Sequence, residues 1–119
     1  MATADDVRRI ALSLPRTTEA LVRDRVKFRV GRLVYLALSR DETELGFGCP
    51  REERAGLLAA EPEKFLPPLK GDERYAWLRL RLAAVDAAEL EELVVEAWRM
   101  CVPKTVGAAW PPAPPPPRA

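Results

Sequence analysis

The residues best placed to meet a ligand are cations alternating with apolar groups over 23–30, RDRVKFRV. Arg23, Arg25, Lys27 and Arg29 alternate with Asp24, Val26, Phe28 and Val30, so an extended chain puts four cations on one face and mostly apolar groups on the other. A second stretch, YAWLRLRL over 75–82, alternates in the same way. Leu78, Leu80 and Leu82 form its apolar side, and Tyr75, Trp77, Arg79 and Arg81 share the other. Two such ribbons side by side make a sheet surface on which cations meet phosphates and aromatic rings stack on bases or ribose. The competing expectation is salt-bridged: Trp77 tucked among neighbours, and the arginines paired across strands with Glu19, Asp24, Glu42 or Glu44.

Catalysis has little to draw on. Histidine, the usual acid or base near neutral pH, is absent from the 119 residues. Ser13 and Ser39 are the only serines, and neither sits in a nucleophile elbow. Glu89, Glu92 and Glu96 share a helix face at the spacing of ordinary solvated carboxylates. Gly46-Phe47-Gly48 is too short for a phosphate-binding loop and is followed by Pro50, which has no amide to donate. The chain therefore reads as a binding protein with no catalytic residues, no cofactor and no metal. Cys49 and Cys101 fit no metal-ligand spacing and read as small buried hydrophobes of a reducing compartment.

Length and composition suit one soluble domain: 48% of residues are apolar, 31% charged, and the net charge is +1. Charge is unevenly spread, since over 16–40 seven Lys/Arg stand against Glu19 and Asp24, whereas acids outnumber bases over 41–119. Such a basic block on an otherwise acidic chain is what a polyanion-binding surface looks like. The N-terminus lacks the pattern of a signal peptide, and no run is long and apolar enough to span a membrane, so a cytoplasmic monomer without membrane contact is expected.

The elements that must hold these residues follow from periodicity. Thr3 and Asp6 cap a helix over Ala4–Leu14, ended by Pro15. A short strand over Glu19–Val22 leads into, or continues as, the strand Val26–Val30. Gly31-Arg32 turns the chain into Leu33–Leu38, and Glu44–Gly48 adds another strand. Pro50 suits the first position of a helix running to about Ala60, and a short turn at Lys64–Leu66 drops Phe65 onto the core. Tyr75–Leu82 is a further strand. Asp86 and Glu89 start a helix carrying Leu90, Leu93, Val94, Ala97 and Cys101, with Trp98 at its border and Pro103 at its close. The order helix, three or four strands, helix, strand, helix, with connections too short for parallel crossovers, predicts a two-layer α+β domain over 1–106 with an antiparallel sheet packed on helices. From Gly107 to Ala119 the proline-rich tail is expected to be extended and disordered.

Taken together, KFRVGRLVYLAL, PREERAGLLAAEPEKFLPP, YAWLRLRL and EELVVEAWRMCVPK, in this order and spacing, resemble the MmcQ/YjbR family over about residues 4 to 106. The resemblance implies a compact α+β fold of the YjbR-like, secretion-chaperone-like or CyaY-like type, and DNA binding through a double-wing arrangement of hairpins. It places Phe28, Arg29 and Val30 in the family's FRV segment, Trp77 on its tryptophan strand, and Pro103-Lys104 at its terminal PK, which adds Lys104 to the candidate DNA-binding residues. Where many relatives carry a histidine and proline before that segment, this chain has Arg25-Val26-Lys27, so no role of that histidine carries over. A protein-interaction module, chaperone-like or self-associating, is the alternative expectation.

Overall fold

The computed structural model describes residues 1–111. Helix α1 (Ala4–Ser13) starts at a full capping box, in which the Thr3 hydroxyl accepts from the Asp6 amide and the Asp6 carboxylate accepts from the Thr3 amide. Four strands follow, β1 (Thr17–Val22), β2 (Arg25–Val30), β3 (Leu33–Leu38) and β4 (Glu44–Gly48), then helix α2 (Arg51–Ala60). Strand β5 (Phe65–Leu66), strand β6 (Trp77–Arg81), a 3-10 turn (Leu82–Ala84), helix α3 (Ala87–Arg99) and helix α4 (Lys104–Ala108) complete the chain. Among the described residues, no helix is long and apolar enough to cross a membrane.

All pairings are antiparallel, and the six strands lie in the order β1-β2-β3-β4-β6-β5. One sheet face carries Phe28, Leu36, Leu38, Leu45, Phe47, Leu78 and Leu80, all buried. They close on Val7, Ile10 and Ala11 of α1 and on Leu90, Val94, Ala97 and Trp98 of α3. Helices thus cover one face, and the other is left for the alternating polar residues. The two-layer α+β architecture expected from the sequence is the one found, enlarged to six strands.

Several local expectations need correction. The strand expected over Glu19–Val22 starts at Thr17 and is a separate strand. It is reversed into β2 by Arg23 and Asp24, both with left-handed backbone (φ 51° and 66°). Lys64–Leu66 is not just a turn, because Phe65 and Leu66 pair with Leu80 and Arg79. Phe65 does reach the core, at 6.1 Å from Phe47 ring to ring. Strand β6 starts at Trp77, leaving Tyr75 in the preceding loop. The fold also passes the expected boundary at 106: α4 runs to Ala108, and Trp110 sets its ring edge-on to Trp98 at 6.0 Å. Of the expected tail, residues 112–119 lie outside the described ones.

Between Phe28 and Arg29 the β2–β3 register slips by one residue, because Phe28 faces Leu36 while Arg29 faces Val34. The extra residue, Tyr35, is driven into the core beside Leu36, where its hydroxyl meets that of Thr17 at 2.7 Å. Val34 is thereby turned to the side of the sheet opposite the helices.

Candidate functional site

Strand register determines which residues share the face without helices. Lys27 lies opposite Ala37, Ala37 opposite Gly46, and Gly46 opposite Arg79. Arg25 and Trp77 fall on the same side by alternation. Two members of the central row, Ala37 and Gly46, are too small to fill the space above them. The Trp77 indole uses the gap over Gly46, so closely that a Cβ built there would lie 2.7 Å from Nε1. The gap over Ala37 stays open as a hollow of about 300 Å³. Arg25, Lys27, Val34 and Ala37 line it from the sheet, and Leu69, Asp72, Tyr75, Ala76 and Trp77 from the loop before β6. A more open depression of about 420 Å³ shares Arg25 and Leu69 and continues towards Arg40, Asp41 and Arg79.

The loop wall is held from behind by a residue that the sequence did not single out. Arg54 of α2 donates from Nη1 to the carbonyls of Tyr75 (3.1 Å) and Trp77 (3.3 Å), and from Nη2 to that of Glu73 (2.9 Å). Asp72 is the other addition. Its amide donates to the Leu69 carbonyl and its carbonyl accepts from the Tyr75 amide, which places it at the rim of the hollow. The residue is half-buried, and its carboxylate takes no hydrogen bond or ion pair among the described residues. An Asp beside Glu73 in a loop and an Arg among the charges of α2 give no signal of either role.

The nine candidate residues separate into groups. Arg25, Lys27, Tyr75 and Trp77 converge on the hollow. Arg25 donates from Nε to the Leu38 carbonyl at 3.2 Å, which leaves the rest of its guanidinium free, and Lys27 has no hydrogen-bond partner among the described residues. Arg23 lies in the β1–β2 turn instead of in the alternating strand, and Arg29 is exposed beyond the bulge, outside the hollow. None of these four β1–β2 cations forms an ion pair among the described residues.

Arg79 and Arg81 behave differently. Arg79 is paired with Glu44 at 2.7 Å and also donates to the Pro67 carbonyl, while Arg81 donates to the carbonyls of Glu63 and Pro62. Both are spent in fastening the 62–67 segment to β6, so the expected six free cations on the sheet are reduced. The expected neutralisation of β2 by acids is not found either, because Glu19 turns to Arg8 and Glu44 to Arg79. Lys104 opens α4, which packs on α3 in the helical layer, so it does not join the sheet face.

Other groups are explained by structure. Hydrogen bonds from the hydroxyls of Ser39 and Thr43 hold the Asp41 carboxyl below its usual range, so the far end of the depression keeps one fixed anion. Burial pushes the Cys49 thiol up to about 11, an inert small hydrophobe as expected.

The model of the YjbR family matches residues 12–100. Proteins of Mycobacterium bovis and Mycobacterium tuberculosis, both named only as uncharacterised, are each 33% identical over 128 aligned positions, covering 92% of this chain and 96% of the relative. The crystal structure of Deinococcus radiodurans protein DR2400, a DUF419 domain, superposes with a TM-score of 0.72 at 25% identity, covering 84% of this chain and 78% of that one.

Proposed function

This chain belongs to the YjbR family, and on that premise we propose that it is a small non-enzymatic protein that binds nucleic acid on its helix-free sheet face. One observation carries the reading: Arg25 and Lys27, which form no ion pair among the described residues, share a hollow with Trp77 and Tyr75. Cations without acidic partners attract phosphate, and ring faces beside them accept bases of any sequence. Arg23 and Arg29, exposed at either end of β2, extend the positive strip along the strand. Asp41, Glu44 and Asp72 bound it, which favours binding along the strip over general attraction to the whole molecule.

The test is fluorescence anisotropy with labelled single-stranded and duplex DNA across a salt series. Affinity is expected to fall linearly with salt on logarithmic axes, with a slope of about −0.7 per neutralised phosphate for a single strand. The combined variant Arg25→Gln, Lys27→Gln, Arg29→Gln should flatten that slope by about two units. Absence of binding to either form at low salt would refute the reading.

A protein-interaction role is favoured by a different feature. Strand β1 pairs on one side only, with β2, and it carries Leu21 at 71% exposure. Light scattering that shows a monomer at all concentrations, with no binding partner in native lysate, would remove that reading.

A further inference from the structure

The hollow is more selective than a basic strip needs to be, and its chemistry names a ligand. Its floor is Ala37, its side wall is the Trp77 indole seated over Gly46, and its rim carries Asp72 facing a space shared with Arg25 and Lys27. A half-open hollow of about 300 Å³ beside an indole is too narrow for a base still paired and stacked in a duplex, but it takes one turned out of a strand. Asp72 then discriminates among bases. An ionised carboxylate only accepts hydrogen bonds. The Watson–Crick edge of guanine offers it two adjacent donors, N1–H and the N2 amino group. Adenine and cytosine each present a donor next to a ring acceptor, and thymine presents one N–H between two carbonyls, so each sets a lone pair against the carboxylate or leaves one of its oxygens unmet.

We propose that the hollow is the seat of one unstacked guanine of a single strand, with the base against Trp77, its N1–H and N2 amino group on Asp72, and the adjoining phosphate between Arg25 and Lys27. The assignment rests on the nucleic-acid reading above and sharpens it. Arg54 is a positioning residue here, since its three bonds to the carbonyls of Glu73, Tyr75 and Trp77 fix the loop that carries Asp72.

Anisotropy with a labelled oligothymidine, the same strand with one central guanine, and a duplex of the latter tests the seat. The guanine-bearing strand should bind about tenfold more tightly than oligothymidine. Asp72→Asn should abolish that difference without weakening oligothymidine, because it removes an anion from a site for phosphate; a purely structural role for Asp72 predicts equal loss for both strands. Ala37→Leu should fill the hollow, remove the preference for guanine and leave the salt-dependent binding of duplex in place. Equal affinity for both single strands, alongside salt-dependent duplex binding, would overturn the seat while leaving the basic face intact. Lack of binding to every strand at low salt would overturn both. Full displacement of the guanine-bearing strand by an equal concentration of guanosine monophosphate would also overturn the proposal, because the ligand would then be the free nucleotide.

Discussion

Gly46→Ala tests how the tryptophan is presented, and its two opposing consequences can be weighed in advance. The new Cβ would lie 2.7, 2.8 and 2.9 Å from Nε1, Cζ2 and Cε2 of Trp77, where carbon contacts settle near 3.5–4.0 Å, so something must move by about 1 Å. If the indole is pinned, the overlap costs about 1–3 kcal/mol. If it swings outward, the substitution is close to neutral or gains up to about 1 kcal/mol, because alanine loses less backbone freedom than glycine on folding. Trp77 is only half buried, and its Nε1 has no hydrogen-bond partner among the described residues, so the second outcome is expected. Stability to urea should change by less than about 1 kcal/mol. In the proton spectrum the Trp77 indole N–H should shift, while that of Trp98, bonded to the Pro15 carbonyl at 2.9 Å, stays in place. Base stacking is worth about 1–3 kcal/mol, so displacing the ring should cost single-strand affinity about tenfold or more, with the salt slope unchanged. A moved indole with undiminished affinity would refute the stacking role. A stability loss above about 1 kcal/mol with the Trp77 indole N–H unmoved would refute the view that the ring is free to move.

Glu44→Gln should release Arg79 from its carboxylate and add a cation to the face, which steepens the salt slope by about 0.7 and tightens binding at low salt; weaker binding would contradict the charge argument. Burial pushes the Tyr35 phenol up to about 12 from its ordinary value of 10. The folded state thus favours the neutral phenol, a preference present in full below pH 10 and lost as pH rises through about 12, at a total of about 3 kcal/mol. The difference in unfolding free energy between wild type and Tyr35→Phe should therefore close and reverse over that window, with other groups such as Cys49 cancelling; a pH-independent difference would refute it. Trp98→Phe removes the bond to Pro15 and leaves a void in the core, and denaturant unfolding should register a loss of about 2–4 kcal/mol; a loss under 1 kcal/mol would show the site repacks.

Most of the scaffold was legible in the chain because local pattern and tertiary burial agree there. The alternation of Leu78 and Leu80 with Trp77, Arg79 and Arg81 determines which side of β6 meets the helices, and the stripe of Leu90, Val94 and Ala97 does the same for α3. The caps Thr3 and Asp86 set the helix starts by themselves. Family membership followed from the same segments, as their order and spacing carry the resemblance.

What the pattern did not contain is everything that depends on a partner distant in sequence. Whether a cation is free depends on which acid reaches it: Glu44 meets Arg79 only because β4 lies beside β6, whereas the β2 cations lie between β3, which carries no acid, and β1, whose Glu19 sits opposite Phe28 and pairs with Arg8. The register slip at Phe28 and Arg29 leaves no mark in the alternation, yet it turns Val34 outward and sends Tyr35 inward. No local pattern marks Arg54 or Asp72, since nothing local distinguishes an arginine that holds three carbonyls from one in water. The sequence by itself determined two layers and the sign of the exposed strand, because hydrophobic period and charge are local properties. Only the tertiary structure decided that Ala37 and Gly46 meet across β3 and β4, and so that the basic face has a hollow in it, because a gap exists only between residues that folding brings together.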